Sequence, residues 1–154
     1  MKRIAIYILA LATALLVPLE GTDVGKLQPV GVVQLYREDE QVIIVTDTGD
    51  SGVGKNVKEA FENLEETTAG VIFLDTADFL LLGDHGPEEI GALRSYLKPS
   101  VRVCLADESI EPGQAAPYLA VHRPATVLRH YHGQERPERL VQENGRLKLE
   151  NKDK

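Results

Sequence analysis

The chain has one cysteine, Cys104, among its 154 residues. No disulfide can therefore form within it, which excludes a small domain stapled by cross-links. Cys104 lies in the strand-like run Val101-Arg102-Val103-Cys104-Leu105-Ala106, so a buried, inert thiol is expected. A reactive cysteine needs a neighbouring base and a cause for a lowered pKa, and the sequence supplies neither. Basic clusters are also missing. Beyond Lys2 and Arg3 there is no dense Lys/Arg block, and the formal net charge is -7. A nucleic-acid partner needs a basic footprint to neutralise phosphates, so that class is excluded. An anionic lipid face would repel the chain too. There is no collagen-like repeat or long low-complexity tract, and no serine sits in a nucleophile elbow. No catalytic residue, metal site or cofactor is assigned.

The composition that remains suits one domain with appendages. Apolar residues make up 43% of the chain, enough for a packed core. The N-terminus carries the clearest signal. Lys2 and Arg3 precede Ile4 to Val17, a run without charge, and Pro18, Glu20 and Gly21 end it. A basic start before a short apolar run is the pattern of a signal peptide. A free-standing spanning helix wants about 20 apolar residues, and this run is shorter. Residues 1–21 are thus read as a signal peptide or a short membrane anchor, which places the chain outside the cytoplasm. No cysteine directly follows the run, so a lipobox-type lipid anchor is excluded.

Residues 22–29 read as a linker and 30–122 as an α/β domain. Val30 to Tyr36 and Gln41 to Thr46 are strand-like, and the short charged turn between them predicts an antiparallel hairpin. Asp47 to Lys55 reads as a loop with three glycines. Val57, Ala60, Phe61 and Leu64 recur at helical spacing, with Asn56 and Glu59 placed as a capping box. Gly70 to Leu74 reads as a strand, and Phe79 to Leu82 as its continuation or partner. Pro87, Glu88 and Glu89 open a second helix with Ile90, Leu93 and Leu97 inward, closed by Pro99. Val101 to Ala106 is the next strand. A third helix runs from Glu111-Pro112 to about Val121 with Ala115, Ala116 and Leu119 inward. The expected architecture is a single α/β domain, a mixed sheet carrying about three helices. Residues 123–154 read as an extension with a β-hairpin at Asn144-Gly145 and a frayed end from Asn151. Leu140, Leu147 and Leu149 on that hairpin need cover. Docking on the sheet edge is the favoured reading, and a partner-binding face the alternative.

One motif invites a catalytic reading. Gly49-Asp50-Ser51-Gly52-Val53-Gly54-Lys55 has the G-x-x-x-x-G-K part of a phosphate-binding loop, after a strand and before a helix. Val71-Ile72-Phe73-Leu74-Asp75 resembles the strand that positions a metal-binding acid in such proteins. Position 56 is Asn, however, where a Ser or Thr hydroxyl would bind Mg²⁺, and no Asn-Lys-x-Asp segment follows. The preferred reading is a Gly-rich turn into a capped helix. Anion binding by Gly52, Gly54, Lys55 and Asn56 is kept as the alternative, since a helix N-terminus attracts anions. His130 and His132, with His122 nearby, specify no third zinc ligand. Asp75, Asp78, Asp84 and His85 flank a strand end, where Asp commonly makes turns.

The stretch from Gly52 to Leu119 resembles the N-terminal domain of the Ger(x)C family, the C subunits of spore germinant receptors. The likeness rests on Gly52-Val53-Gly54-Lys55 followed by the helix Asn56 to Leu64 with its Glu59-Ala60 pair. It continues through Val71 to Gly83, the helix around Ile90 to Leu97, Val101 to Ala106, and Ala115-Ala116-Pro117-Tyr118-Leu119. It covers somewhat under half of the chain. Family members carry a lipobox cysteine and further domains, and this sequence shows neither. The resemblance implies a non-catalytic, extracytoplasmic subunit of a membrane complex whose partner is a protein. It transfers no catalytic residue.

Overall fold

The computed structural model describes residues 27–133 and 136–151. The expected signal or anchor segment and the last three residues lie outside the described part. The centre of the molecule is β6 (Phe79–Leu82), four consecutive apolar residues that are all buried. An unbroken apolar run suits a strand covered on both faces, as parallel sheets require. β6 pairs in parallel with β2 (Val32–Glu38) on one side and β7 (Arg102–Ala106) on the other. β7 pairs in parallel with β8 (Arg139–Glu143) at Leu105 and Ala106. Antiparallel strands complete both edges: β3 (Gln41–Thr46) and β4 (Ser51–Gly54) beyond β2, and β9 (Arg146–Glu150) beyond β8. The seven-stranded order is β4-β3-β2-β6-β7-β8-β9.

Alternation along the strands divides the core in two. Val33, Leu35, Val42, Ile44, Leu80, Leu82 and Val103 share one side with the helix α1 (Val57–Thr67) and the short helix α2 (Ile90–Leu93). Val32, Leu81, Cys104, Ala106 and Leu140 share the other with α3 (Pro112–Val121), through Ala115 and Leu119. Ala116, expected inward, is half-buried. α1 forms where the capping pattern places it. The Asn56 side chain accepts the Glu59 N–H at 3.0 Å, and Val57, Ala60, Phe61 and Leu64 are buried. Phe61 stacks on Tyr96 with ring centroids 4.3 Å apart.

Several expectations are corrected. The supposed loop from Asp47 to Lys55 contains β4, because Ser51 to Gly54 pair in register with Val42 to Val45. The supposed linker 22–29 ends in β1 (Leu27–Pro29), which pairs in parallel with β5 (Val71–Phe73) as a separate two-stranded ribbon. β5 therefore neither continues into β6 nor pairs with it. A 3-10 turn, Leu74–Thr76, separates them, and the Thr76 hydroxyl bonds both the N–H and the carbonyl of Val30 at 3.0 Å. The second helix is broken. Gly86–Glu89 is a 3-10 turn, entered through His85 at φ 58°, and only Ile90–Leu93 is α-helical. Ile90, Leu93 and Leu97 are nevertheless buried as the spacing required.

The boundary placed at residue 122 does not divide the sheet. After α3 the chain returns along the outer edge of β7. The Val103 N–H donates to Thr126 and the Leu128 N–H to Val101. β8 then takes over the same edge, and the hairpin turns at Asn144 (φ 51°) and Gly145 (φ 76°), the left-handed pair that a tight two-residue turn demands. The C-terminal hairpin is thus part of the domain, with Leu140 fully buried. Deleting residues 136–154 uncovers the β7 edge and one wall of the α3-side core. The melting temperature, followed by circular dichroism, should fall by several degrees and the protein should aggregate on heating. An unchanged melting temperature would contradict this account.

Candidate functional site

The loop that resembles a phosphate cradle is built for something else. In β4, Gly52 faces Ile44 and Gly54 faces Val42 across the ladder, while α1 crosses directly above. A Cβ on Gly52 would lie 2.1 Å from the Ala60 carbonyl oxygen, and one on Gly54 would lie 2.4 Å from the Ala60 nitrogen. Both glycines let helix and strand approach more closely than any side chain permits. The helix N-terminus is already occupied. Glu59 turns its carboxylate back to accept the Lys55 N–H at 3.0 Å, and Asn56 Nδ2 donates to the same carboxylate at 3.1 Å. An incoming phosphate would meet that negative charge. This geometry disfavours the anion-binding alternative at Gly52, Gly54, Lys55 and Asn56: Gly52 is buried, and the capping box takes the Lys55 and Glu59 N–H groups.

The second sequence-derived site also divides. Leu140 is fully buried and cannot meet a partner, whereas Leu147 and Leu149 are half-buried beside α3. The Leu149 N–H, on the outer side of β9, donates to the Tyr118 hydroxyl at 3.0 Å. These leucines close the α3-side core, so Leu140 is withdrawn from the partner-binding set.

The remaining polar candidates are dispersed. Asp78 is held by Lys98 at 2.8 Å, His85 faces Glu88 at 3.2 Å, and His122 stacks on Tyr118. His132 lies 3.5 Å from an Arg94 nitrogen that also donates to the Tyr131 carbonyl. Among the described residues, no three His, Cys, Asp or Glu side chains converge as metal ligands. A cleft of about 210 Å³ lies at the N-terminal ends of β6 and β7, lined by Asp78, Phe79, Ser100, Arg102 and Arg123. Arg102 donates there to the Pro124 carbonyl at 2.6 Å. The parallel strands β2, β6, β7 and β8 step across the sheet in one direction. A reversal of strand order, which opens a ligand crevice in doubly wound sheets, does not occur among them.

What the sequence reading missed is an apolar surface. In the β1–β5 ribbon, Leu27 is registered with Val71, and Pro29 with Phe73. Registered residues of parallel strands point to the same face. Ile72 packs inward on the α1-side core, and Gln28, on the same face, buries its Oε1. The opposite face presents Leu27, Pro29, Val71 and Phe73, with Val71 48% and Phe73 38% exposed. Alternation along β5 was the available signal. It was obscured because Val71 to Leu74 is continuously apolar and reads equally well as a buried strand.

Stability, ligand-response and thiol-reactivity measurements test these assignments. Gly52→Ala should destabilise the fold by about 3 kcal/mol or more in urea titration, since the clash is with helix backbone. Lys55→Ala should stay within roughly 0.5 kcal/mol, and neither phosphate nor a nucleoside triphosphate should raise the melting temperature. Cys104 is fully buried, and desolvation, with a smaller contribution from Glu138, pushes its thiol from the usual 9.0 to about 12. A thiol reagent at pH 8 should leave the native protein unmodified and react on unfolding. Above pH 9 the unfolded chain releases this proton while the folded chain keeps it. The Cys104 contribution to stability should therefore fall as pH rises from 9 towards 12, by about 1.4 kcal/mol per pH unit at most. No family model, curated protein or solved structure matches the chain.

Proposed function

We propose that the chain is a non-catalytic, extracytoplasmic binding or scaffold subunit held at a membrane complex. The observation that carries this reading is the N-terminal segment: Lys2 and Arg3 followed by the uncharged run Ile4 to Val17. Only Pro18 to Lys26 separate that run from β1. No helix of the described residues is long and apolar enough to cross a membrane. On this reading the N-terminal segment directs or holds a domain that works by contact.

The chemistry of the domain favours contact over turnover. Gly52 and Gly54 serve packing, the acids and histidines of the described residues are dispersed, and the thiol is buried. The resemblance to the Ger(x)C N-terminal domain supports assigning the complex to sporulation or germination, with an integral membrane protein as partner. The untagged full-length chain, expressed in a spore-forming host, should sediment with membranes and be digested by protease added from outside. Recovery from the cytoplasm with the N-terminus intact would overturn the proposal.

A further inference from the structure

We infer that the outward face of the β1–β5 ribbon, formed by Leu27, Pro29, Val71 and Phe73, rests in the interfacial layer of the membrane beside the N-terminal segment. The inference builds on the proposed function and names the surface that meets the membrane and what it meets. Four apolar side chains without a charge share this face, and Val71 and Phe73 are two of the four large hydrophobics that remain exposed among the described residues. Such a cluster needs cover more than a scattered exposed residue does.

Position identifies the occupant. Leu27 is ten residues beyond Val17, the last residue of the apolar run. A fully extended chain of that length reaches no further than roughly 35 Å, so a membrane-held N-terminus keeps the ribbon close to the lipid surface. Size and charge narrow the choice. Two three-residue strands offer on the order of a few hundred Å², below the roughly 600–800 Å² that each partner contributes to a stable protein interface. A weak contact of this size works only when a tether supplies high effective concentration, as an N-terminal anchor does. A lipid surface asks for no shape complementarity beyond this. The net charge of -7 selects zwitterionic over anionic headgroups.

Strand addition is disfavoured at the outer edge of β1. The Val30 N–H donates to the Phe73 carbonyl, so alternation turns the backbone of residue 29 outward. Pro29 has no N–H to offer there. That edge therefore presents side chains and not an open ladder.

The chain has no tryptophan, so a single introduced one reports its own surroundings. The test uses the full-length chain reconstituted into phosphatidylcholine vesicles, with Phe73→Trp and Val71→Trp as separate probes. Val121→Trp is the control, because Val121 is 76% exposed on α3, across the sheet from the ribbon side. Emission from positions 71 and 73 should shift to the blue and fall at least twofold when the acyl chains are brominated, while position 121 is unaffected. If the protein floats with the vesicles but positions 71 and 73 emit as position 121 does, the lipid contact is overturned and the membrane attachment stands. Protection from acrylamide without quenching by bromine would show protein covering the face, such as a second copy, and would also overturn it. If the full chain does not float with vesicles, the attachment and the contact fail together.

Discussion

Phe79, Leu80, Leu81 and Leu82 are each no more than 6% exposed, and their side chains point alternately to opposite faces of one sheet. A strand of this kind cannot lie at an edge or face water on either side. It has to be flanked by two strands and covered above and below, and most of the architecture follows from that demand. β2 and β7 flank it, α1 and α2 cover one face, and α3 covers the other. Parallel pairing on both sides then requires long crossovers, which is where the helices lie. The buried Cys104 is a by-product, since it occupies the β7 position beside Leu81 and shares its desolvated surroundings.

The sheet's outer strands receive different treatment. β4 is sealed by α1, which lies so close that only glycine fits at positions 52 and 54. The outward Val53 N–H goes to Asn63 Oδ1 at 3.0 Å, and the Thr67 hydroxyl reaches the Ser51 carbonyl. The helix thereby occupies the hydrogen-bonding groups that would otherwise recruit a foreign strand. At the opposite edge the Tyr118 hydroxyl takes the Leu149 N–H, and charged Arg146, Lys148 and Glu150 alternate with the leucines. Both arrangements keep the sheet finite.

Features set by local chemistry were legible in the sequence. Asn56 with Glu59 marked the start of α1, Asn144-Gly145 marked the hairpin, and helical spacing identified Phe61, Leu64 and Leu93 as core. Features set by distant partners were not. Ser51 to Gly54 has the composition of a loop and becomes a strand only because β3 lies beside it and α1 above. Leu27 to Pro29 contains a proline and is only three residues long, so nothing local distinguishes it from a linker. It is a strand because Val71 to Phe73 runs alongside. The loop motif misled for a related reason. Glycines that admit a helix backbone and glycines that admit a phosphate leave the same trace in a sequence, and only the neighbour at position 60 tells them apart. Leu140 was drawn into a partner face because its burying neighbours, Ala115 and Leu119 among them, come from α3, some twenty residues earlier in the chain.

The one-way order of the parallel strands bears on how the molecule is assembled in time. A chain emerging N-terminus first makes β2, β3 and β4 as successive hairpin partners. Each later strand of the main sheet then finds its template already in place: β6 on β2, β7 on β6, β8 on β7 and β9 on β8. β2 is the exception, since its free side waits for β6 while β3, β4 and α1 are made. From β6 onward the growing edge is the most recent strand, and it is exposed only for as long as the next segment takes to arrive. Such a sheet suits vectorial delivery, in which residues become available in order and an unfinished edge is the main hazard.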